Sequence, residues 1–312
     1  MTLEATILKC VGGLYTARLD VEYEGKREVN IRARGAFRHE NTVLLPGDRV
    51  EIEPVLANEF FCKKIIDRKN SLIRPPVANL GYLFIAVPCK KPLPSLQTVD
   101  KIISIAEHNG IEPIIVITKK DLDKEKCNEL SDIYKKCGFV TFETSSVDSD
   151  GVKEFYTYIK DKIAKSGAVC AFCGVSGAGK STLINTVFPS LQLETGGLSR
   201  KIERGKNTTR CVELFPLEKI MGEGYSGYLA DTPGFSLLDF ERFDFFSLPD
   251  LFSSFREFSP SLGKCRYTKC THTKEEGCDV IRRVKCGEIP KSRHDSYVSL
   301  YETLKKKPDW KK

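Results

Sequence analysis

One nonapeptide constrains this chain more than any other stretch: Gly174-Val175-Ser176-Gly177-Ala178-Gly179-Lys180-Ser181-Thr182, which fits G-x4-G-K-[ST]. A loop that wraps phosphate must bring backbone N–H groups close to oxygen, so glycines stand where a side chain would collide. The helix after the loop then aims its positive end at the anion. The flanks agree with this reading, because Val169–Cys173 is a short apolar run and Lys180–Val187 has helical spacing. Strand, glycine loop and helix in that order require an α/β domain. Lys180 would reach the β- and γ-phosphates, and the Ser181 hydroxyl would hold Mg²⁺.

The surrounding sequence alternates in the way such a domain needs. Tyr82–Val87, Pro113–Ile117, Val140–Thr144 and Gly227–Ala230 read as strands, with Thr98–Asn109 and Lys124–Lys136 as helices between them. Asp231-Thr232-Pro233-Gly234 comes directly after the last of these strands, 57 residues after Gly174. Asp231 suits a carboxylate that holds Mg²⁺ through water, and the Gly234 N–H suits a γ-phosphate contact. Between the two motifs lies Gly205-Lys206-Asn207-Thr208-Thr209-Arg210, where Thr209, rather than Thr208, is expected to reach the metal.

Base choice is read at two further strand ends. Thr118-Lys119-Lys120-Asp121 stands where a GTPase carries Asn-Lys-x-Asp. Asp121 would accept two hydrogen bonds from guanine N1–H and its 2-amino group, which adenine does not offer, and Lys119 would lie along the base. Thr144-Ser145-Ser146 ends the next strand and suits the loop that closes the base pocket. These loops precede the phosphate loop in the chain, the reverse of the usual order. Chain ends can be relocated without changing a sheet if the old ends are joined. Asp148–Lys165, a glycine turn and a helix, is the expected joint.

Outside this domain the sequence changes character. Residues 1–70 carry the strand runs Ala5–Cys10, Leu14–Tyr23, Glu28–Arg34 and Arg49–Pro54, separated by glycine turns, which predicts a small all-β barrel of OB type. Arg32, Arg34 and Arg38 would put charge on one barrel face. Arg74-Pro75-Pro76 separates the barrel from the α/β region. Near the other end, Cys265-x4-Cys270-x-His272-x5-Cys278 gathers three thiols and an imidazole within 14 residues. They would fill a tetrahedral Zn²⁺ shell and leave no open position, so one structural zinc is expected, ordering a segment too short for its own core. Cys286 is a second-choice ligand, and Cys170 and Cys173 read as buried small side chains.

Charge sharpens the picture. The chain has 49 Lys+Arg against 42 Asp+Glu, a net charge of +7, yet residues 282–312 alone hold 10 basic and 4 acidic side chains. A basic tail of that kind reads either as a solvated terminal helix or, more sharply, as an end that touches nucleic acid phosphates. The longest apolar runs, such as Leu83 to Val87, are far below the roughly 20 residues of a membrane span, and Glu4 and Lys9 interrupt any leader-like stretch. A cytoplasmic protein with no membrane partner is expected, its 12 cysteines serving metal binding or packing.

Taken together, the permuted order, the Arg74-Pro75-Pro76-Val77-Ala78-Asn79 joint, the Cys-Cys-His-Cys pattern and Gly287-x-Ile289-x3-Arg293-x3-Tyr297 resemble the ribosome small-subunit-dependent GTPase A family over nearly the whole chain. The resemblance implies an OB-fold RNA-binding domain over 1–70, a circularly permuted GTPase domain over 71–240 and a zinc-binding helical domain over 241–312. It also implies a role in late maturation of the small ribosomal subunit, with contacts to that subunit and its rRNA, none to DNA, and hydrolysis of GTP to GDP that the subunit stimulates. A monomer is expected. Two departures stand out. Thr118 replaces the usual Asn, and Asn207 replaces the His of the family's Gly-x-His-Thr-Thr segment. An amide orients water but takes no proton at neutral pH, and Phe235 stands where many GTPases carry a water-positioning Gln, so slow intrinsic turnover is expected. The alternative is a nucleotide-gated RNA-binding module with negligible hydrolysis; an ATP-driven P-loop enzyme would instead need adenine binding.

Overall fold

A computed structural model of the chain describes residues 2–33, 43–56, 59–73, 76–191, 212–231 and 247–306. Two compact units emerge. The first comprises Met1–Tyr82, Tyr158–Phe172 and Gly196–Phe235, and the second Leu83–Thr157, Cys173–Thr195 and Ser236–Lys312.

In the first unit, strands β1 (Leu3–Val11), β2 (Leu14–Tyr23), β3 (Lys26–Ala33), β4 (Arg49–Leu56) and β5 (Glu59–Ile65) form the N-terminal barrel. Neighbours run β1-β2-β3-β5-β4, and β4 pairs back to β1, which closes the ring. All contacts are antiparallel except β3 with β5. The interior follows from period-2 alternation: Ala5 and Ile7, Tyr15, Ala17 and Leu19, Val29 and Ile31, Val50 and Ile52, and Phe60 and Cys62 all turn inward. Four of these strands are legible in the sequence. The fifth, β5, is not, because Lys63 and Lys64 break the alternation after Cys62; without it the barrel would have an open edge.

The proline joint is more than a spacer. Ser71–Ile73 (β6) and Pro76–Ala78 (β7) pair as a hairpin. Asn79 donates to Gly47 O at 2.9 Å and accepts from the Lys69 N–H at 2.8 Å. A side chain at Gly47, whose φ is +91°, would lie 2.1 Å from Ala78 O, so only glycine permits this approach. Arg34, Arg38, Arg74 and Pro75 lie outside the described residues.

Strand β8 (Leu80–Pro88) begins in the first unit and continues into the second. In the second unit it leads through helix α1 (Leu96–His108) to β9 (Glu112–Thr118), then through α2 (Lys124–Lys136) to β10 (Thr141–Glu143). The strands neighbour in the order β10-β9-β8, with β10 parallel to β9. Both helices bury a 3.6-period stripe: Val99, Ile102, Ile103 and Ala106 on α1, and Cys127, Leu130, Ser131 and Tyr134 on α2. The joint consists of Gly151, helix α3 (Val152–Tyr158) and a π-helical turn over Ile159–Ile163. Strand β11 (Val169–Gly174) then enters the glycine loop, and α4 (Lys180–Val187) leaves it. Cys170 and Cys173 are buried on β11.

The first unit, which includes Tyr158–Phe172 and so the π-helical turn and most of β11, also holds β12 (Glu213–Pro216), α5 (Leu217–Met221) and β13 (Tyr228–Asp231). β13 runs parallel to β11, and β12 runs antiparallel to β13. The other edge of β12 pairs with barrel strand β1 at Lys9 and Glu213, whose side chains form an ion pair at 2.9 Å. Arg18 of the barrel reaches Glu218 on α5.

The C-terminal segment corrects one expectation. Its length predicts a segment too short for its own core, yet helices α6 (Leu248–Ser253), α7 (Asp279–Lys285) and α8 (Lys291–Lys305), with a 3-10 turn over Arg256–Ser261, bury Leu251, Phe255, Phe258, Val280, Ile289, Tyr297, Leu300, Tyr301 and Leu304 together. Three aromatic rings do most of this: Phe255, Phe258 and Tyr297 contact one another at 5.0–5.3 Å between centroids. Helix α8 also packs on α1 through Arg293, which is fully buried and donates to Asp100 Oδ1 and Glu257 Oε1, each at 2.7 Å. Burial alone would lower the Arg293 pKa, but the two carboxylates more than offset it and hold the guanidinium charged. Among the described residues no helix is long and apolar enough to cross a membrane.

Candidate functional site

The glycine loop has the shape its sequence demands. Gly174 has φ +146°, and a Cβ there would lie 2.6 Å from Ala86 O on β8; Gly177 and Gly179 also have positive φ. Gly179, in a left-handed backbone with φ +86°, directly precedes α4 as its N-cap. The Lys180 ammonium lies inside the loop, donating to Gly174 O at 2.7 Å and Val175 O at 3.0 Å. Burial lowers its pKa, partly countered by the neighbouring Cys173. A phosphate arriving there would meet a cation already poised and poorly solvated. Ser181 is half-buried and Thr182 exposed at the start of the helix.

The Thr118–Asp121 loop, expected to read the base, is tied directly to the glycine loop. Thr118, 3% exposed, donates its hydroxyl to Ala178 O at 2.6 Å. The loss of the amide that Asn would supply therefore does not leave the two loops unconnected. Lys119 adopts a left-handed backbone with φ +65°, its carbonyl accepts from the Cys89 thiol at 3.0 Å, and its ammonium donates to Lys91 O at 2.9 Å. Lys120 N–H donates to Thr144 O at 3.2 Å, stitching the first base loop to the second. The Lys120 side chain turns away to Asp150 at 2.9 Å, with Glu143 nearby. Ser145 is buried, its N–H bonded to Asp150 O and its hydroxyl accepting from the Val147 N–H. Asp121 is half-buried on the 3-10 turn Lys120–Leu122 that ends the first of these loops.

Asp231 ends β13, its backbone opposite Glu213. Thr209, Asn207, Gly234 and Phe235 lie outside the described residues, as does the Asp231 side chain.

The four expected metal ligands converge. Ligand atoms of Cys265, Cys270, His272 and Cys278 all lie within 4.8 Å of one another. His272 Nδ1 is 3.5 Å from Cys265 Sγ and 3.4 Å from Cys278 Sγ, and the two sulfurs are 3.9 Å apart. A tetrahedral zinc with bonds of about 2.3 Å to sulfur and about 2.0 Å to nitrogen needs roughly 3.8 Å and 3.5 Å for these separations. The donor set therefore fits. Burial pushes the Cys270 thiol up to about 12 and lowers the His272 pKa, so a dication is what would draw the thiolates out while the imidazole is already neutral. Cys286 is exposed and bonds back to Arg282 O, away from the cluster.

With this geometry in hand, comparison with known proteins is decisive. A family model described as RsgA GTPase matches residues 65–241, and one described as RsgA N-terminal domain matches residues 4–59. The chain belongs to the RsgA GTPase family. Among its relatives, the "Small ribosomal subunit biogenesis GTPase RsgA" of Caldanaerobacter subterraneus subsp. tengcongensis is 37% identical over 98% of this chain and 97% of that protein. The protein of the same name from Enterococcus faecalis is 36% identical over 99% and 98%. Of solved structures, YjeQ from Thermotoga maritima superposes with a TM-score of 0.80 at 28% identity, covering 99% of this chain and 100% of that one. YloQ, described as a circularly permuted GTPase, gives 0.75 at 28% identity over 99% and 97%. The match to a GTPase family favours hydrolysis over a nucleotide-gated module without turnover.

Some of the site is not visible to sequence reasoning. The thiol of Cys89 and the carbonyl of Lys91, which brace Lys119, carry no motif. Glu275 is another: its carboxylate collects the N–H groups of Thr271, Thr273 and Lys274 inside the segment of the Cys/His cluster. A run of N–H donors converging on one carboxylate leaves no periodic trace in sequence.

Proposed function

We propose that this GTPase acts in late maturation of the small ribosomal subunit, binding the subunit through rRNA in its GTP state and leaving once GTP has become GDP. The observation that carries the reading is the end-to-end match to proteins named for small ribosomal subunit biogenesis, which covers nearly all of this chain and of theirs. On this reading the chain divides into an OB-fold RNA-binding domain over 1–70, a circularly permuted GTPase domain over 71–240 and a zinc-binding helical domain over 241–312.

Within that reading, Gly174 to Thr182 cradle the phosphates, and Lys180 bears on the β- and γ-phosphates. Ser181 holds Mg²⁺ with help from Thr209 and, through water, Asp231. Thr118 and Lys120 fix the base loop, Asp121 reads guanine, and Lys119 and Ser145 bound the base. Mg²⁺ with GTP supplies charge neutralisation at the transferred phosphoryl group. Cys265, Cys270, His272 and Cys278 hold one zinc in a closed, structural shell. The protein works as a monomer in the cytoplasm, with neither DNA nor membrane as partner.

Co-sedimentation with purified small subunits tests this directly. A non-hydrolysable GTP analogue should carry the protein into the subunit fraction, GDP should leave most of it behind, and ATP should not substitute for GTP. Equal association with all three nucleotides would overturn the proposal.

A further inference from the structure

The segment that presents the metal ligands is held in an uncommon conformation by a group that is not a ligand. His272 has a left-handed backbone with φ +58°, a region that L residues other than glycine seldom occupy. That turn is what brings its Nδ1 toward the sulfurs of Cys265 and Cys278. On either side of it, three backbone N–H groups point at one carboxylate. Glu275 Oε1 accepts from the Thr271 N–H at 2.8 Å, and Oε2 accepts from the Thr273 N–H at 3.0 Å and the Lys274 N–H at 3.2 Å. The Thr271 hydroxyl adds a further bond to Oε1. Carbonyls of the same loop are held from α8, Thr271 O by the Tyr297 hydroxyl at 3.0 Å and His272 O by His294 Nε2 at 2.7 Å. The His272 ring stacks on Phe252 at 4.5 Å between centroids.

We propose that Glu275 is the positioning residue of the metal centre, fixing the left-handed turn at His272 so that the imidazole and the flanking thiols meet the ion in a formed site. This deepens the zinc reading given above and rests on it. An unpaired N–H group competes for other acceptors and lets the turn relax to the right-handed region, which would swing Nδ1 away from the sulfurs. A carboxylate suits the task because it is acceptor-only, with two oxygens for four donors. Glutamine at this position keeps the shape but offers one acceptor oxygen, and its NH₂ group would face N–H donors. Neighbouring Glu276 is exposed and makes none of these bonds, so it serves as the control.

The experiment uses the full chain loaded with zinc and titrated with a chromophoric chelator. Wild type and Glu276→Ala should hold one zinc with equal affinity. Glu275→Ala should hold it at least tenfold more weakly, with Glu275→Gln in between, while GTP binding and the far-ultraviolet helix signal of the zinc-free proteins stay unchanged. That split separates positioning from general stability, which would lower the helix signal as well. If Glu275→Ala does not fold, Glu275→Gln carries the test, and at least a threefold loss is expected of it. Zinc affinity equal to wild type in a folded variant would overturn the proposal alone. A wild-type chain that takes up no zinc would overturn the metal reading and this inference with it.

Discussion

Thr118 illustrates how much a single atom decides. Its position as the first residue of the base loop is plain from the sequence; its partner, 60 residues away, is not. The hydroxyl bonded to Ala178 O is buried, so its removal leaves a buried carbonyl without a donor, a loss of about 1–3 kcal/mol. Thr118→Val should therefore weaken GTP binding by about tenfold, since about 1.4 kcal/mol is a factor of ten, whereas Thr118→Asn should keep the tie and the affinity. Titration with a fluorescent GTP analogue checks both. Lys180 makes a sharper case: Lys180→Ala removes the only side-chain cation described inside the loop and should abolish detectable turnover in the same preparation. Arg293 is the opposite kind of residue, visible in the sequence as part of a basic tail. Its burial depends on Asp100, 193 residues distant, which no local pattern encodes.

Elements are legible where one period runs unbroken. Helices α2 and α4 fall where their spacing predicts, Lys124–Lys136 and Lys180–Val187. Strand β5 and the β6–β7 hairpin are not legible, because lysines and prolines interrupt their alternation. The aromatic core of the C-terminal helices has no single period, being shared among three short helices and a turn. Its junction with α1 makes a firm prediction. Removing the Arg293 guanidinium strands Asp100 and Glu257 in a dry site, so Arg293→Ala should cost about 3–5 kcal/mol of unfolding free energy, read by denaturant titration. Helix α2 offers a test by pH. Asp123 caps it by accepting from the Lys126 N–H, and that bond, with Lys90 at 3.2 Å, holds its carboxyl below the ordinary 3.8. A depressed carboxylate stabilises the fold fully above its unfolded pKa and loses that contribution as pH falls through the folded value. The stability gap between wild type and Asp123→Asn should thus be widest near neutrality and close as pH drops below about 4; a gap that widened with acid would contradict the assignment.

Across the whole molecule, the +7 charge turns out to be differently disposed than the tail's composition implies. Arg282, Arg283, Lys291 and Arg293 are all ion-paired, with Asp279 and Glu288, Glu288, Asp295, and Asp100 and Glu257 respectively. Lys305 and Lys306 are exposed at the end of α8, while Lys307, Lys311 and Lys312 lie outside the described residues. Around the Cys/His cluster, Lys264, Arg266, Lys269 and Lys274 are exposed and join no ion pair among the described residues, next to Tyr267, which is 49% exposed. If rRNA is the partner, replacing these four cations by alanine should lower the log–log salt slope of subunit binding by about 3, more than replacing Lys305 and Lys306 does. Nucleotide affinity should not change.

Under the proposed function, the small subunit completes this GTPase. The sequence carries Asn207 and Phe235 at the positions where the family resemblance leads one to expect a His and many GTPases a Gln, so turnover by the isolated protein is expected to be slow. Steady-state GTP hydrolysis, measured with and without saturating purified small subunits, tests the claim most directly. At least a tenfold rise in turnover is expected on adding subunits. Turnover that is unchanged at saturation would contradict it.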